Sequence, residues 1–130
     1  MTYNIAQKIK ALYADRKDID WRNSKEAIQQ TVALLSSGGL HSAWVCTGTS
    51  KGYYPLNGLL ALRPNINVRV YALIYVNGRD EYCIDYVSVK SEAAEIITHR
   101  DGIFFDELAA AYEHMYDGYI NEAQGGFIRI

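Results

Sequence analysis

Cysteine, proline and histidine are scarce in this chain, and each scarcity narrows what it can be. Of 130 residues only two are cysteine, Cys46 and Cys83, both inside strand-like apolar runs and neither with a cysteine or histidine partner at metal-ligand spacing. Two reduced core thiols are therefore expected, rather than a disulfide framework or a thiolate metal site. The three histidines, His41, His99 and His114, never fall at the i, i+4 spacing that sets two ligands on one helix face. Dinucleotide, kinase and zincin signatures are missing as well, so no metal and no cofactor are expected. No apolar stretch approaches the length of a membrane span, and Met1-Thr2-Tyr3-Asn4-Ile5 lacks the basic start and apolar core of a secretory signal. The expectation is a cytoplasmic protein, one domain over residues 1–130, with no membrane partner.

What is present centres on residues 67–89. β-Branched and aromatic residues fill two arms on either side of Asn77-Gly78-Arg79-Asp80, a hairpin pattern with the Asn-Gly pair in its loop. A two-residue loop sets Val70 against Asp85, whereas a four-residue loop pairs Val76 with Glu81, Tyr75 with Tyr82, Leu73 with Ile84 and Tyr71 with Tyr86. The longer loop is preferred because it keeps the aliphatic pairs Ile74 with Cys83 and Val70 with Val87 together. It also places Tyr71, Tyr75, Tyr82 and Tyr86 on one sheet face, with Arg69 at the border and Tyr53 and Tyr54 beside the neighbouring strand. The opposite face is aliphatic, interrupted only by Ala72 against Asp85 and by the Val76 and Glu81 end.

Ile5, Ile9 and Leu12 recur at helical spacing and predict a helix over residues 3–16, followed by a loop through Trp21. Asn23 with Glu26 three residues later reads as a capping box for a second helix, with Ile28, Val32 and Leu35 on its buried face and Gly38-Gly39 at its end. Residues 40–47 read as a first strand and Thr49-Ser50-Lys51 as a hairpin turn; this glycine-flanked stretch lacks the length and the following helix of a phosphate-binding loop. Strand material resumes at residues 53–56 and 58–62 across Asn57-Gly58, with Pro55 and Pro64 expected at an edge or at strand ends. Ser91 caps an expected helix over residues 92–98, and a longer helix runs over residues 104–123 with a stripe from Phe105 to Tyr119. Gly125-Gly126 ends it, and residues 127–130 alternate like a short edge strand. The fold class predicted is α+β, a mainly antiparallel sheet of about five strands flanked by two N-terminal and two C-terminal helices.

Charge divides the chain. Residues 1–91 hold eleven Lys and Arg against seven Asp and Glu, whereas residues 92–130 hold Arg100 and Arg129 against eight acids. An acidic helical face of this kind solvates the surface or meets a basic partner, and direct nucleic-acid binding is not expected. Eleven tyrosines stand against three phenylalanines, a ratio suited to recognition, since each ring offers stiff contact area with a polar tip. Trp21 between Asp20 and Arg22 either anchors a partner or closes the core between two helices. His41 near Ser42 and Cys46 has no oxyanion loop or nucleophile elbow and reads as a partly buried strand histidine. The residues predicted to bind are thus Tyr71, Tyr75, Tyr82, Tyr86, Arg69, Tyr53, Tyr54 and Trp21. The function expected is non-enzymatic binding, in the manner of an inhibitor or counter-defence factor, to a protein partner through the tyrosine face or the acidic C-terminal helix. The alternative is sequestration of a small nucleotide-like ligand stacked on those rings; an enzyme of unrecognised type comes third. Exposed strand edges and the tail are compatible with a homo-oligomer.

Overall fold

The structure, a computed structural model, describes residues 4–128. Five strands cross a single antiparallel sheet in chain order: β1 (Ser50–Leu56), β2 (Leu59–Arg63), β3 (Val70–Val76), β4 (Tyr82–Val89) and β5 (Ala94–Ile103). Four helices precede it, α1 (Ile5–Tyr13), α2 (Trp21–Ala27), α3 (Thr31–Ser36) and α4 (Ala43–Cys46), and α5 (Leu108–Ile128) follows. The fold is α+β, with an antiparallel five-stranded sheet flanked by N- and C-terminal helices.

Two apolar layers hold it. Ile9 and Tyr13 of α1 pack on Leu59, Ala61, Tyr71, Leu73, Tyr75, Cys83 and Val87. On the other side Ile28, Leu35, Leu108, Tyr112 and Met115 pack on Leu60, Leu62, Ala72, Ile74, Ile84 and Tyr86. Every residue of β3 is consequently buried, which explains its unbroken apolar run: a strand covered on both faces has no reason to alternate. The chain passes from one layer to the other over the end of the β3–β4 hairpin. There Ile19 bridges Asn77, the Asp20 amide donates to the Val76 carbonyl at 3.1 Å, and the Gly78 amide donates to the Asp18 carbonyl at 3.0 Å.

The β3–β4 register differs from the expected one by a single residue. Val76 pairs with Tyr82, Tyr75 with Cys83, Leu73 with Asp85 and Tyr71 with Val87. The loop takes in Glu81 because Asn77 organises it: its backbone amide donates to the Glu81 carbonyl, and its side-chain oxygen accepts the Arg79 and Glu81 amides at 2.9 and 3.1 Å. Asp80 adopts the left-handed conformation this turn requires, with φ 61°. A one-residue shift moves every β4 side chain to the opposite face. Tyr71 and Tyr75 therefore lie under α1, while Tyr82 and Tyr86 lie under the other helices.

Other local expectations give way to specific bonds. Asp20, not Asn23, caps α2, accepting the Asn23 amide at 3.1 Å, and the Asn23 side chain reaches Asp80 instead. Residues 40–47 form no strand. Ser42 accepts the Val45 amide and starts the short α4, which leaves Leu40 81% exposed, His41 exposed in a 3-10 turn and Cys46 at the surface rather than in the core. Thr49-Ser50-Lys51 is not a turn, since β1 begins at Ser50. Residues 92–98 are not helical: Ile96-Ile97-Thr98 is a β-branched run that favours extended backbone, and it falls within β5, turned back from β4 by the Lys90 amide donating to the Ala93 carbonyl. α5 continues through Gly125-Gly126 to Ile128, so Phe127 and Ile128 are helical and not a strand; the remainder of that expected strand, Arg129 and Ile130, lies outside the described residues. The Asn57-Gly58 turn, the edge position of Pro55 and the core position of Cys83 agree with expectation.

One glycine is set by close approach. A Cβ on Gly52 lies 2.4 Å from the Ala61 carbonyl oxygen and 2.5 Å from a Leu62 methyl, and the backbone atom cannot rotate away. Gly52→Ala is expected to lower the unfolding free energy in urea by about 1–3 kcal/mol. Gly118→Ala, on the exposed side of α5 with open space around it, is expected to raise it by up to about 1 kcal/mol. Equal effects of the two changes count against this packing.

Candidate functional site

The residues expected to bind do not share a surface. Tyr75 and Tyr86 are fully buried and Tyr71 and Tyr82 nearly so, on opposite sides of the sheet. Tyr53 meets Tyr71 edge to face at 6.4 Å between ring centres, inside the α1 layer. Tyr82 donates to the Ala27 carbonyl at 2.9 Å, and Tyr86 packs edge to face on Tyr119. Trp21 is half-buried, its carbonyl and ring pressed against Gly58 of the β1–β2 turn, so it closes the core there. Tyr54 and Arg69 are exposed, apart from these buried rings. A tyrosine platform open to a nucleotide or a protein is absent among the described residues. The physical reason is that helices cover both faces of the β3–β4 pair.

What the fold does bring together is a polar cluster under α1. Asp85, in the middle of β4, is fully buried. Its Oδ2 accepts from the Tyr13 hydroxyl of α1 at 2.6 Å and the Tyr75 hydroxyl of β3 at 3.0 Å, and its Oδ1 meets His99 Nδ1 of β5 at 2.5 Å. The outer nitrogen of His99 meets Asp101 at 3.2 Å. Arg16 donates to Tyr75 at 3.3 Å, is paired with Asp18 through two nitrogens, and lies over the rings of Tyr13 and Tyr75 at 5.4 and 5.8 Å. A buried carboxylate needs its lone pairs satisfied, and here three elements, α1, β3 and β5, contribute to that.

The electrostatics follow from the geometry. Burial, and then the Asp85 charge, push the Tyr13 and Tyr75 hydroxyls far above the usual phenol range, so both remain donors. Burial opposes the charged form of His99, but its hydrogen bonds to Asp85 and Asp101 and their charges outweigh that and hold the ring above its ordinary value. The Arg16 hydrogen bond keeps Asp18 below the usual carboxylate range. Burial, followed by the Asp85 charge, pushes the Cys83 thiol up to about 12, which leaves it protonated and unreactive. With both nitrogens of His99 held by carboxylates, the ring has no free position from which to take a substrate proton. The arrangement suits the anchoring of β5, whose own exposed residues have few other tethers. Asp85 as a lone acid in an apolar run was the sequence signal for it; Arg16 and His99 carried none.

The second feature is the sheet edge that this cluster anchors. β5 is outermost, and its eight inner residues are all exposed. Beyond it Phe104 and Phe105 stand side by side at 58% and 65% exposure. A groove of about 510 Å³ lies between the end of β5 and α5, with Arg100 and Ile103 on the strand side, Ala111 and His114 on α5, and Asp106 and Glu107 on the 3-10 turn between them. Among the described residues, no group of His, Cys, Asp and Glu is suited to hold a metal ion, and no helix is long and apolar enough to cross a membrane. No protein-family model, curated protein or solved structure matches the chain.

Two predictions test the cluster. Asp85→Ala leaves two buried hydroxyls and the imidazole without their shared acceptor and is expected to cost about 3–5 kcal/mol of unfolding free energy, against about 1.5–3 kcal/mol for Tyr13→Phe. The stabilisation from His99 is complete below about pH 6.5, where the imidazole is protonated in folded and unfolded chains alike. It is lost as pH rises through the higher value in the folded chain. Urea titrations from pH 5.5 to 9 are expected to show stability falling over the upper part of this range, and His99→Gln is expected to flatten that fall. An unchanged profile in the variant removes His99 as the titrating group.

Proposed function

We propose that the chain is a non-enzymatic binding protein, of the inhibitor or counter-defence type, that engages a protein partner through its C-terminal third. The working surface in this reading is the outer edge of β5, the Phe104–Phe105 corner and the acidic 3-10 turn that precedes α5. The observation that carries it is the pair of phenylalanines more than half exposed at the end of an edge strand, next to Asp101, Asp106 and Glu107. Aromatic side chains with a charged rim are the residues by which a protein surface is anchored and its partner selected. The expected alternative, a nucleotide-sequestering protein, relied on stacked tyrosines that are core residues here. An enzymatic reading relied on acids and His41, which stands exposed and with no carboxylate bonded to it among the described residues.

Affinity capture from an extract of the source cells tests the proposal, with wild-type chain and a Phe104→Ser, Phe105→Ser variant shown to be folded by circular dichroism. A protein retained by the wild type and lost by the variant is the expected result. Equal retention by both removes the C-terminal third as the working surface.

A further inference from the structure

We infer that the groove between β5 and α5 receives an extended, basic segment of the partner protein, which adds to β5 as a sixth strand. This rests on the proposed function and goes on to the partner's chemistry. An edge strand presents a row of backbone N–H and C=O groups with no strand to take them, the arrangement that recognises extended peptides by main-chain hydrogen bonding. β5 is ten residues long, its outer side meets no other strand, and α5 rises beside it to make one wall of a channel. The opposite edge is unlike it. β1 is seven residues long and carries Pro55, which has no N–H to offer an added strand. Both edge strands have two irregular points in their pairing, which limit indiscriminate association. β5 nevertheless displays Ile96 and Ile97 as well as the two phenylalanines beyond its end.

Charge selects the occupant. Asp106 and Glu107 of the 3-10 turn line the groove, Asp101 lies on the strand, and the one arginine between residues 92 and 128, Arg100, stands on the strand wall. A second copy presenting its own β5 brings the same acidic C-terminal third against this one, so edge-to-edge pairing of two copies is disfavoured. A segment with a lysine or arginine facing Asp106 and an apolar residue two positions away over Ile103 and Ala111 matches both the groove and the strand period, since alternate residues of an added strand point the same way.

The test is titration of the full chain with fluorescein-labelled eight-residue peptides of alternating lysine and valine, read by anisotropy at physiological salt. Three controls accompany it: the glutamate–valine counterpart, the lysine–valine peptide N-methylated at alternate residues, and the Asp106→Asn, Glu107→Gln variant. Saturable binding of the basic peptide is expected, with a loss of roughly tenfold or more on N-methylation, the effect of about one main-chain hydrogen bond. A similar loss is expected with the variant, and protection of β5 amides from hydrogen exchange is expected in the complex. Equal binding of the N-methylated peptide overturns strand addition in favour of unspecific charge attraction. Equal binding of the acidic peptide, or a dimer in sedimentation that excludes the basic one, overturns the choice of occupant. If the phenylalanine variant loses its captured protein while no peptide binds, the proposed function stands and this inference falls.

Discussion

A carboxylate with no exposed surface sits in the middle of β4, and donors from α1, β3 and β5 converge on it. Water has been removed from Asp85, so its attraction for these groups is stronger than at a surface, and so is the penalty when any one of them is missing. The consequence is geometric. α1 has to lie where Tyr13 reaches the acid, and β5 has to pair so that His99 comes opposite Asp85. The apolar layers supply the bulk of the driving force, but they tolerate sliding; the acid does not.

The edge strand gains most from this. All eight inner residues of β5 are open to water, so little apolar burial holds the strand apart from its ends at Ala94 and Ile103. Its ladder with β4 and the imidazole pinned between Asp85 and Asp101 do the rest. A strand secured from one side leaves its outer edge and most of its side chains open to water. The buried cluster and the exposed corner are thus two ends of one arrangement, one sealed from water and one open to it.

The broad class was legible in the residues: a central hairpin, consecutive turn-linked strands and helices at both ends are all present. Its errors were local and have common causes. Ile96-Ile97-Thr98 follows two alanines and two glutamates, and good helix formers masked a β-branched run whose partner, β4, was adjacent in sequence. Ser42 was hidden as a helix cap inside an apolar run. The loop from Asn77 was misjudged by one residue because Glu81 resembles a strand residue by position, while the Asn77 side chain draws its amide into the turn. That single step dissolved the tyrosine platform. Of the site, Asp85 was visible as an interruption, but its partners come from residues as much as 72 positions away, and no local pattern records such a meeting. Part of the tyrosine surplus has a bland source as well: Tyr13 and Tyr75 serve Asp85, Tyr82 a helix carbonyl and Tyr112 the Thr49 hydroxyl, so these four phenols bond the interior.

The passage of the chain over the hairpin end, at Ile19 and Asn77, bears on how the molecule is made. α1 is synthesised well before the surface on which it rests, and the acid that receives Tyr13 is added 72 residues later. At ribosomal speed that interval lasts roughly 4–14 s, far longer than a helix needs to form and fray. Through it the stripe of Ile5, Ile9 and Leu12 has no floor, and the nascent N-terminal arm is a natural client for chaperones until the hairpin is complete.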